Sequence, residues 1–264
     1  TKGIGSWGWS TAPQKAMQNK VFTYTQAKVI GGGSAINAQI YTRGAAQDYD
    51  EWRQMGCDGW SYEEVLPYFR KSEDNDTFDG RYHGKGGPLG VSQPAAPLPI
   101  CDAFIEAAGQ LGIPKTTDVN AEKQDGAGYY QLTQRNARRS SAAMAFLGPA
   151  KRRPNLTIQM KAQVKRVLVE HGRATGVEMA DGSRIMADRE VILSSGAIGS
   201  PRLLQLSGIG PADHLQSLGI DVVYDQPNVG ENLQDHLDLY AICEVTGPHI
   251  YDRFAKLHLS ALAG

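Results

Sequence analysis

The stretch AKVIGGGSAINAQIYTRGAAQDYD, Ala27–Asp50, decides how the rest of the chain is read. Val29 and Ile30 lead, as a strand or an apolar run would, into Gly31, Gly32 and Gly33, where backbone can approach a ligand closely. Ser34 is positioned to cap a helix begun by AINAQI. Asn37 follows Gly33 by about one turn and carries both a donor and an acceptor, enough to read a carbonyl and an N–H of a flat ring together. Spacing alone leaves a second reading equally open: a structural turn holding a buried asparagine.

A second glycine-rich segment, GAIGSPRLLQLSGIG, spans Gly196–Gly210. EVILSS, residues 190–195, predicts a buried strand entering it. Ser200 then reads as an N-cap, Pro201 as the first helical residue and Gly208 as the C-terminal stop. An ordinary strand–turn–helix crossover fits the same letters. Both segments bring bare N–H groups and a small hydroxyl to the mouth of a helix, where a phosphate or flat polar cofactor is bound. Two of different design suggest a large cofactor gripped at two places. Gly3-Ile4-Gly5-Ser6-Trp7-Gly8 also matches GxGxxG, but no strand precedes it and no helix follows, so it reads as a loop.

Between the two segments the pattern changes once. Ser61 and Glu64 form a capping box for a helix over SYEEVLPYFRKSED, with Pro67 as a kink or break. Further helices are predicted over ICDAFIEAAGQLG and RRSSAAMAFLGPA, the latter closed by Gly148-Pro149. From LTIQM onward come short β-branched runs, parted by turns at His171-Gly172 and Asp181-Gly182-Ser183, which predict a β-meander. The expected class is α/β with mixed α+β character.

The 264 residues are 41% hydrophobic and 21% charged, with a net charge of −1, an ordinary globular balance with no basic footprint for nucleic acid. No run approaches the roughly 18 apolar residues of a membrane span. Cys57, Cys101 and Cys243 are far apart and form no CxxC pair, which argues against a metal site and fits a reducing, cytoplasmic setting. Thr1 is not an initiator Met and KLHLSALAG carries no stop signal, so both ends are expected to be missing.

With these residues in view, Ala27–Asp50 resembles, position for position, the first signature of the glucose-methanol-choline (GMC) flavoprotein oxidoreductases, and Gly196–Gly210 resembles their second. DYDEW, GWSYEEVLPYFRKSE, HGKGGPLGV, RRSSAAMAFL, NLTI, RATGVE and VGENLQDH look like the same family, so the resemblance covers essentially the whole chain. IYTRG and LPYFRKSE are similar to those of bacterial choline-dehydrogenase-like members.

The resemblance implies an FAD enzyme that oxidises an alcohol, with oxygen, a quinone or another carrier as electron acceptor. Lys28, Val29, Gly32, Gly33 and Ser34 are then expected along the pyrophosphate and ribityl chain of FAD. Asn37, Ala38 and Ile40 are expected near the isoalloxazine. Val164 is expected to meet the adenine through its backbone, with Ser194, Gly196 and Ala197 closing the adenosine pocket. Some members attach FAD covalently through a His just before the Asn of the first signature; Ile36 stands there, so noncovalent FAD is expected. The family's catalytic His is expected beyond Gly264, and none of the six histidines matches its context, so no catalytic residue is assigned. The expected architecture is a Rossmann-like FAD-binding part with the β-meander, residues 1–45 and 151–235, interleaved with a substrate-side part, residues 46–150 and 236–264. A hydroxynitrile-lyase-type member and a truncated non-catalytic fragment are the alternatives.

Overall fold

The computed structural model describes residues 5–236, 239 and 241–244. The chain divides into two compact units, one running to Leu156 and the other covering Thr157–Cys243.

In the first unit β1 (Trp9–Ser10) pairs antiparallel with β2 (Thr23–Tyr24). The segment from Ala27 follows, with a 3-10 turn over Gly32–Ala35 in place of the helix predicted for AINAQI. The chain leaves that turn through Gln39 at φ +66° and enters β3 (Ile40–Tyr41), which pairs with β6 (Gln131–Leu132). Those ladder hydrogen bonds, and a Ser34 hydroxyl engaged inside the turn, leave nothing to cap a helix at this point.

Helix α1 (Ala46–Gln54) begins where the Asp48 carboxylate accepts the Ala45 N–H at 2.9 Å. Helix α2 (Tyr62–Ser72) starts on the predicted capping box: the Ser61 N–H and hydroxyl both donate to Glu64, at 3.0 and 2.6 Å. It runs through Pro67 without a break, forfeiting the bond that an N–H at that position would make one turn back. An edge-on contact of Tyr49 with Phe69 and a tilted one with Tyr62 join the two helices, and Trp52 packs edge-on against Tyr49 and Trp60.

Strand β4 (Glu73–Asn75) pairs in parallel with β5 (Leu89–Val91). Helix α3 (Pro99–Gln110) has Pro99 in its first turn and ends at Gly112, φ +82°. A short hairpin joins β7 (Gln134–Arg135) to β8 (Arg138–Arg139) through Asn136 and Ala137, both left-handed. The predicted helix after it is a π-turn over Ala143–Leu147, in which the Gly148 N–H reaches back to the Ala143 carbonyl. It continues into α4 (Gly148–Ala150), so Gly148-Pro149 prolongs the helical segment, with Pro149 near its start where no N–H is needed.

A buried polar cluster ties this unit together. Arg43 Nη2 donates to Glu73 Oε2 at 2.9 Å, and the two side chains are 2% and 0% exposed. His83 lies between Glu73, 3.0 Å from Nδ1, and Asp118, 2.8 Å from Nε2. Asn75, Gln131 and the Gly84 N–H fill the remaining acceptors. Arg43 Nε, buried, has no hydrogen-bond partner among the described residues; the guanidinium carbon lies 5.0 Å from the Phe69 ring centre, so the ring face partly replaces one. Leu66, Val91, Ile105, Ala108 and Ala145 form the apolar core around the cluster.

The second unit is built on the meander. Strands β9 (Val164–Glu170), β10 (Arg173–Met179) and β11 (Arg184–Met186) form an antiparallel sheet in the order β11-β10-β9. Its turns are the predicted ones, with His171 and Gly172 at φ +50° and +76° and Gly182 at +85°. On one face Lys165 and Arg166 grip Glu178, at 2.9 and 2.8 Å, and hold its carboxyl down at about 2. Residues 190–195 are not a strand; a strand needs a neighbour's hydrogen bonds, no described residue pairs there, and Ile192 is 77% exposed.

Helix α5 (Gly196–Leu206) starts four residues before the predicted cap, so Ser200 and Pro201 are inside it. The Ser200 hydroxyl instead accepts the Ser195 N–H at 2.9 Å, closing the entry turn. Gly208, φ +80°, ends the helix as expected. Strand β12 (Ile209–Gly210), helix α6 (Ala212–Ser217) and strand β13 (Tyr224–Asp225) complete the unit, β12 and β13 pairing in parallel. Leu215, fully buried, with Val167 and Met179, forms its core. The chain is thus α/β, and the strand order of a Rossmann-like sheet is not seen among the described residues.

Candidate cofactor site

The glycine turn is an open feature of the first unit. Gly31 and Gly32 take φ of +93° and +55°, which side chains resist. A Cβ at Gly32 or Gly33 would meet no atom within 4 Å, so backbone faces free space there. Around it Val29, Ile30, Ile36 and Ile40 are 42–49% exposed, an apolar frame about a polar backbone. The Lys28 ammonium stands 4.3 Å from the centre of the Trp7 ring, a cation–π contact that fixes one positive charge at the turn's entrance.

The back of the turn is closed by residues more than 100 positions away. The Ser34 hydroxyl donates to the Gly31 carbonyl and accepts the Ala142 N–H at 2.8 Å. Arg139 Nη1 donates to the Ser34 carbonyl at 3.1 Å and to Asn37 Oδ1 at 2.8 Å. Gly31 must be glycine for a second reason: its Cβ would stand 3.2 Å from that of Ala143. Next to it Ala142, Ala143, Phe146 and Leu147 line an open, apolar cavity of about 340 Å³. Ser140 and Ser141 anchor the bracing segment, the first accepting the Gly90 N–H at 3.0 Å and the second accepting the Met144 N–H at 3.3 Å.

Lys28, Val29, Gly32, Gly33, Ser34, Asn37, Ala38 and Ile40 therefore lie on one continuous segment. Asn37 is exposed rather than buried, while its side chain still braces the turn. Its Oδ1 also accepts the Gln39 N–H at 3.2 Å, so the oxygen is fully used and only the amide nitrogen is unpartnered among the described residues.

In the second unit Ser194, Gly196 and Ala197 are exposed at the start of α5. That first turn has no side-chain cap and no acidic residue, so its N–H groups are open to an anion. Val164 opens β9 opposite Met179. The Ser207 hydroxyl, accepting the Val167 N–H at 2.8 Å, ties β9 to α5.

The bracing residues Arg139, Ala142 and Ala143 were not singled out as site residues from the sequence. The signal available was RRSSAA itself, two arginines directly before a run of small residues. Among the described histidines, His83 is buried between two carboxylates, His171 is in a hairpin turn, His214 is in α6 and His236 is exposed. His249 and His258 lie outside the described residues. The larger cavity, about 510 Å³ beside Phe104, Ile113 and Tyr130, is lined by none of the residues expected to touch a cofactor.

Comparison with known proteins identifies the family. The sequence profile of the GMC oxidoreductase family matches residues 8–238. The oxygen-dependent choline dehydrogenase of Sinorhizobium fredii (strain NBRC 101917 / NGR234) is 45% identical over 238 residues, 89% of this chain and 43% of that protein. Pyridoxine 4-oxidase from Mesorbium loti is 35% identical with a TM-score of 0.80, over 85% of this chain and 45% of that one. An FAD-dependent oxidoreductase from Chaetomium thermophilum is 35% identical with a TM-score of 0.84, over 88% of this chain and 43% of that one. The chain spans less than half the length of these relatives. A match that takes in both glycine segments, the bracing segment and the meander together leaves one assignment: the chain belongs to the GMC oxidoreductase family.

Proposed function

We propose that this chain is the FAD-holding part of an enzyme that oxidises an alcohol to an aldehyde or ketone. The observation that carries the reading is the open glycine turn, with bare backbone at Gly32 and Gly33, an apolar frame and one free amide donor at Asn37. Those residues fit a long, flat, partly charged group. Lys28, Val29, Gly32, Gly33 and Ser34 would take its phosphate and ribityl portion, Asn37, Ala38 and Ile40 its ring. Val164, Ser194, Gly196 and Ala197 would take its adenosine. When bound, FAD supplies the acceptor for the hydride leaving the carbinol carbon. Ile36 offers no atom for a covalent link, so the cofactor is held noncovalently.

The FAD-binding part comprises residues 1–45 and 151–235, with a Rossmann-like layout, and the substrate-side part residues 46–150 and 236–264. The catalytic base is not among the residues assigned here. Choline is the first substrate to test and oxygen the first acceptor, on the strength of the 45%-identical dehydrogenase. The three unpaired cysteines support a cytoplasmic setting.

The test is an absorbance spectrum of the purified polypeptide containing this chain, before and after acid precipitation, followed by anaerobic addition of choline and simple alcohols. The expected result is a flavin released into the supernatant and bleached by one of the alcohols. Absence of flavin overturns the reading, and flavin retained in the pellet overturns noncovalent binding. Aldehyde released from a cyanohydrin without bleaching would identify a lyase.

A further inference from the structure

We propose that Arg139 is a positioning residue that fixes the Asn37 carboxamide as a donor-only contact to the cofactor ring. The inference rests on the FAD reading above and deepens it at one side chain. Two donors converge on Asn37 Oδ1: Arg139 Nη1 at 2.8 Å and the Gln39 N–H at 3.2 Å. Neither can accept, so the atom they share has to be the oxygen, and both its lone pairs are taken. A flip of the amide would set its NH2 against a guanidinium and a backbone N–H. The nitrogen is thereby held on the opposite side, unpartnered among the described residues and exposed at the turn. Asn37 consequently cannot read a carbonyl and an N–H together, as its composition alone suggested; it offers N–H groups to an acceptor and nothing else.

The same guanidinium group holds the Ser34 carbonyl at 3.1 Å, so one side chain sets both the path of the glycine turn and the polarity of its one free amide. Both bonds come from the two N–H groups of one nitrogen, Nη1, on a planar group that never loses its charge.

The experiment measures FAD affinity, the flavin absorption band and the melting temperature in the polypeptide containing this chain. The variants are Arg139→Ala, Arg139→Lys, Asn37→Ala, Asn37→Asp and the double alanine variant. Asn37→Asp separates the two roles Asn37 could have. Aspartate keeps and strengthens the contact with Arg139 but presents only acceptors, so a donor role expects it to weaken FAD more than Asn37→Ala does. A merely structural role expects Asn37→Asp to be tolerated. Arg139→Ala is expected to weaken FAD about tenfold, about 1.4 kcal/mol, and to shift the absorption band. In the Asn37→Ala background it should cost threefold or less, since residues acting as a unit are not additive. Arg139→Lys, which keeps the charge and N–H donors on a shorter side chain, should fall between and stands in if Arg139→Ala fails to fold.

Full additivity of the two alanine variants, or an Asn37→Asp variant that binds FAD as well as the unchanged protein, overturns the proposal while leaving FAD binding intact. An unchanged protein without flavin overturns both readings.

Discussion

At the scale of single residues, the glycine turn divides into what was legible and what was not. The three glycines and Ser34 announce close backbone approach by their identity, and the left-handed φ of Gly31 and Gly32 agrees. The bond from Arg139 to Asn37 spans 102 positions, and nothing local in either segment encodes it. Ser34 was legible as a hydroxyl with a backbone task but not as one serving two strands of chain at once. His83 reads from sequence as one histidine in a glycine loop, yet the fold sets it between Glu73 and Asp118. Burial works against its imidazolium, but the hydrogen bonds it gives Asp118 and Glu73 outweigh that, and its pKa rises to about 9. The same contacts hold Glu73 and Asp118 below the ordinary carboxylate range in spite of burial. The sign follows from linkage. Stability from His83 is whole below its unfolded value of about 6.5 and is lost as pH rises through about 9; stability from the two acids is lost as pH falls below roughly 4. Melting temperature should hold steady from about pH 5 to 7 and fall toward pH 10. In His83→Gln the alkaline fall should largely vanish; if it persists unchanged, the cluster is not its source.

Elements were legible where their signals are local. The Ser61–Glu64 box names the start of α2, and the two turn pairs name the meander, because each acts within four residues. The strand expected over residues 190–195 failed because apolar runs become strands only beside partners. Helix α5 began early because the Ser200 hydroxyl closes the turn from inside, so a cap-forming residue type does its work from a position that is not the cap. Ser207 is the test at this scale. It is buried, donates to the Leu203 carbonyl at 2.6 Å and receives the Val167 N–H at 2.8 Å. Ser207→Ala leaves that N–H without a partner, which costs about 1–3 kcal/mol. Urea unfolding followed by circular dichroism should show a lower midpoint with an unchanged slope; an unchanged midpoint would mean that β9 and α5 do not depend on this bond. A Cβ at Gly84 would fall 1.9 Å from the Arg70 carbonyl oxygen. Gly84→Ala should therefore destabilise by about 1–3 kcal/mol in the same assay, through displacement of α2.

For the whole molecule, composition and the β-branched runs made an α/β chain legible, and the family text carried the rest. The division at Leu156 was less so, since it reflects contact density rather than any marker in the letters. Residues 151–160 are exposed throughout and contain Lys151 and Arg152. Limited trypsin digestion should cut at one of these two early and leave products that begin or end there by mass. Early cleavage confined to other sites would argue that this segment is protected.

The π-turn has a consequence for how this chain tolerates changes in length. A π-turn is an α-helix carrying one surplus residue, and here the Gly148 N–H skips to Ala143 to accommodate it. Met144, 69% exposed, is a residue that could be removed without opening the core. Its removal would turn the Gly148-to-Ala143 bond into an ordinary i→i−4 bond, so Phe146 and Leu147 would keep nearly their present direction relative to Ala142. The apolar wall beside Gly31 would then face as it does now, with every side chain that builds it still present. The segment between Ser141 and Gly148 can thus give up one residue without disturbing the glycine turn's surroundings, whereas the same gap inside α2 or α5, where no surplus residue is stored, would turn everything downstream by about 100°.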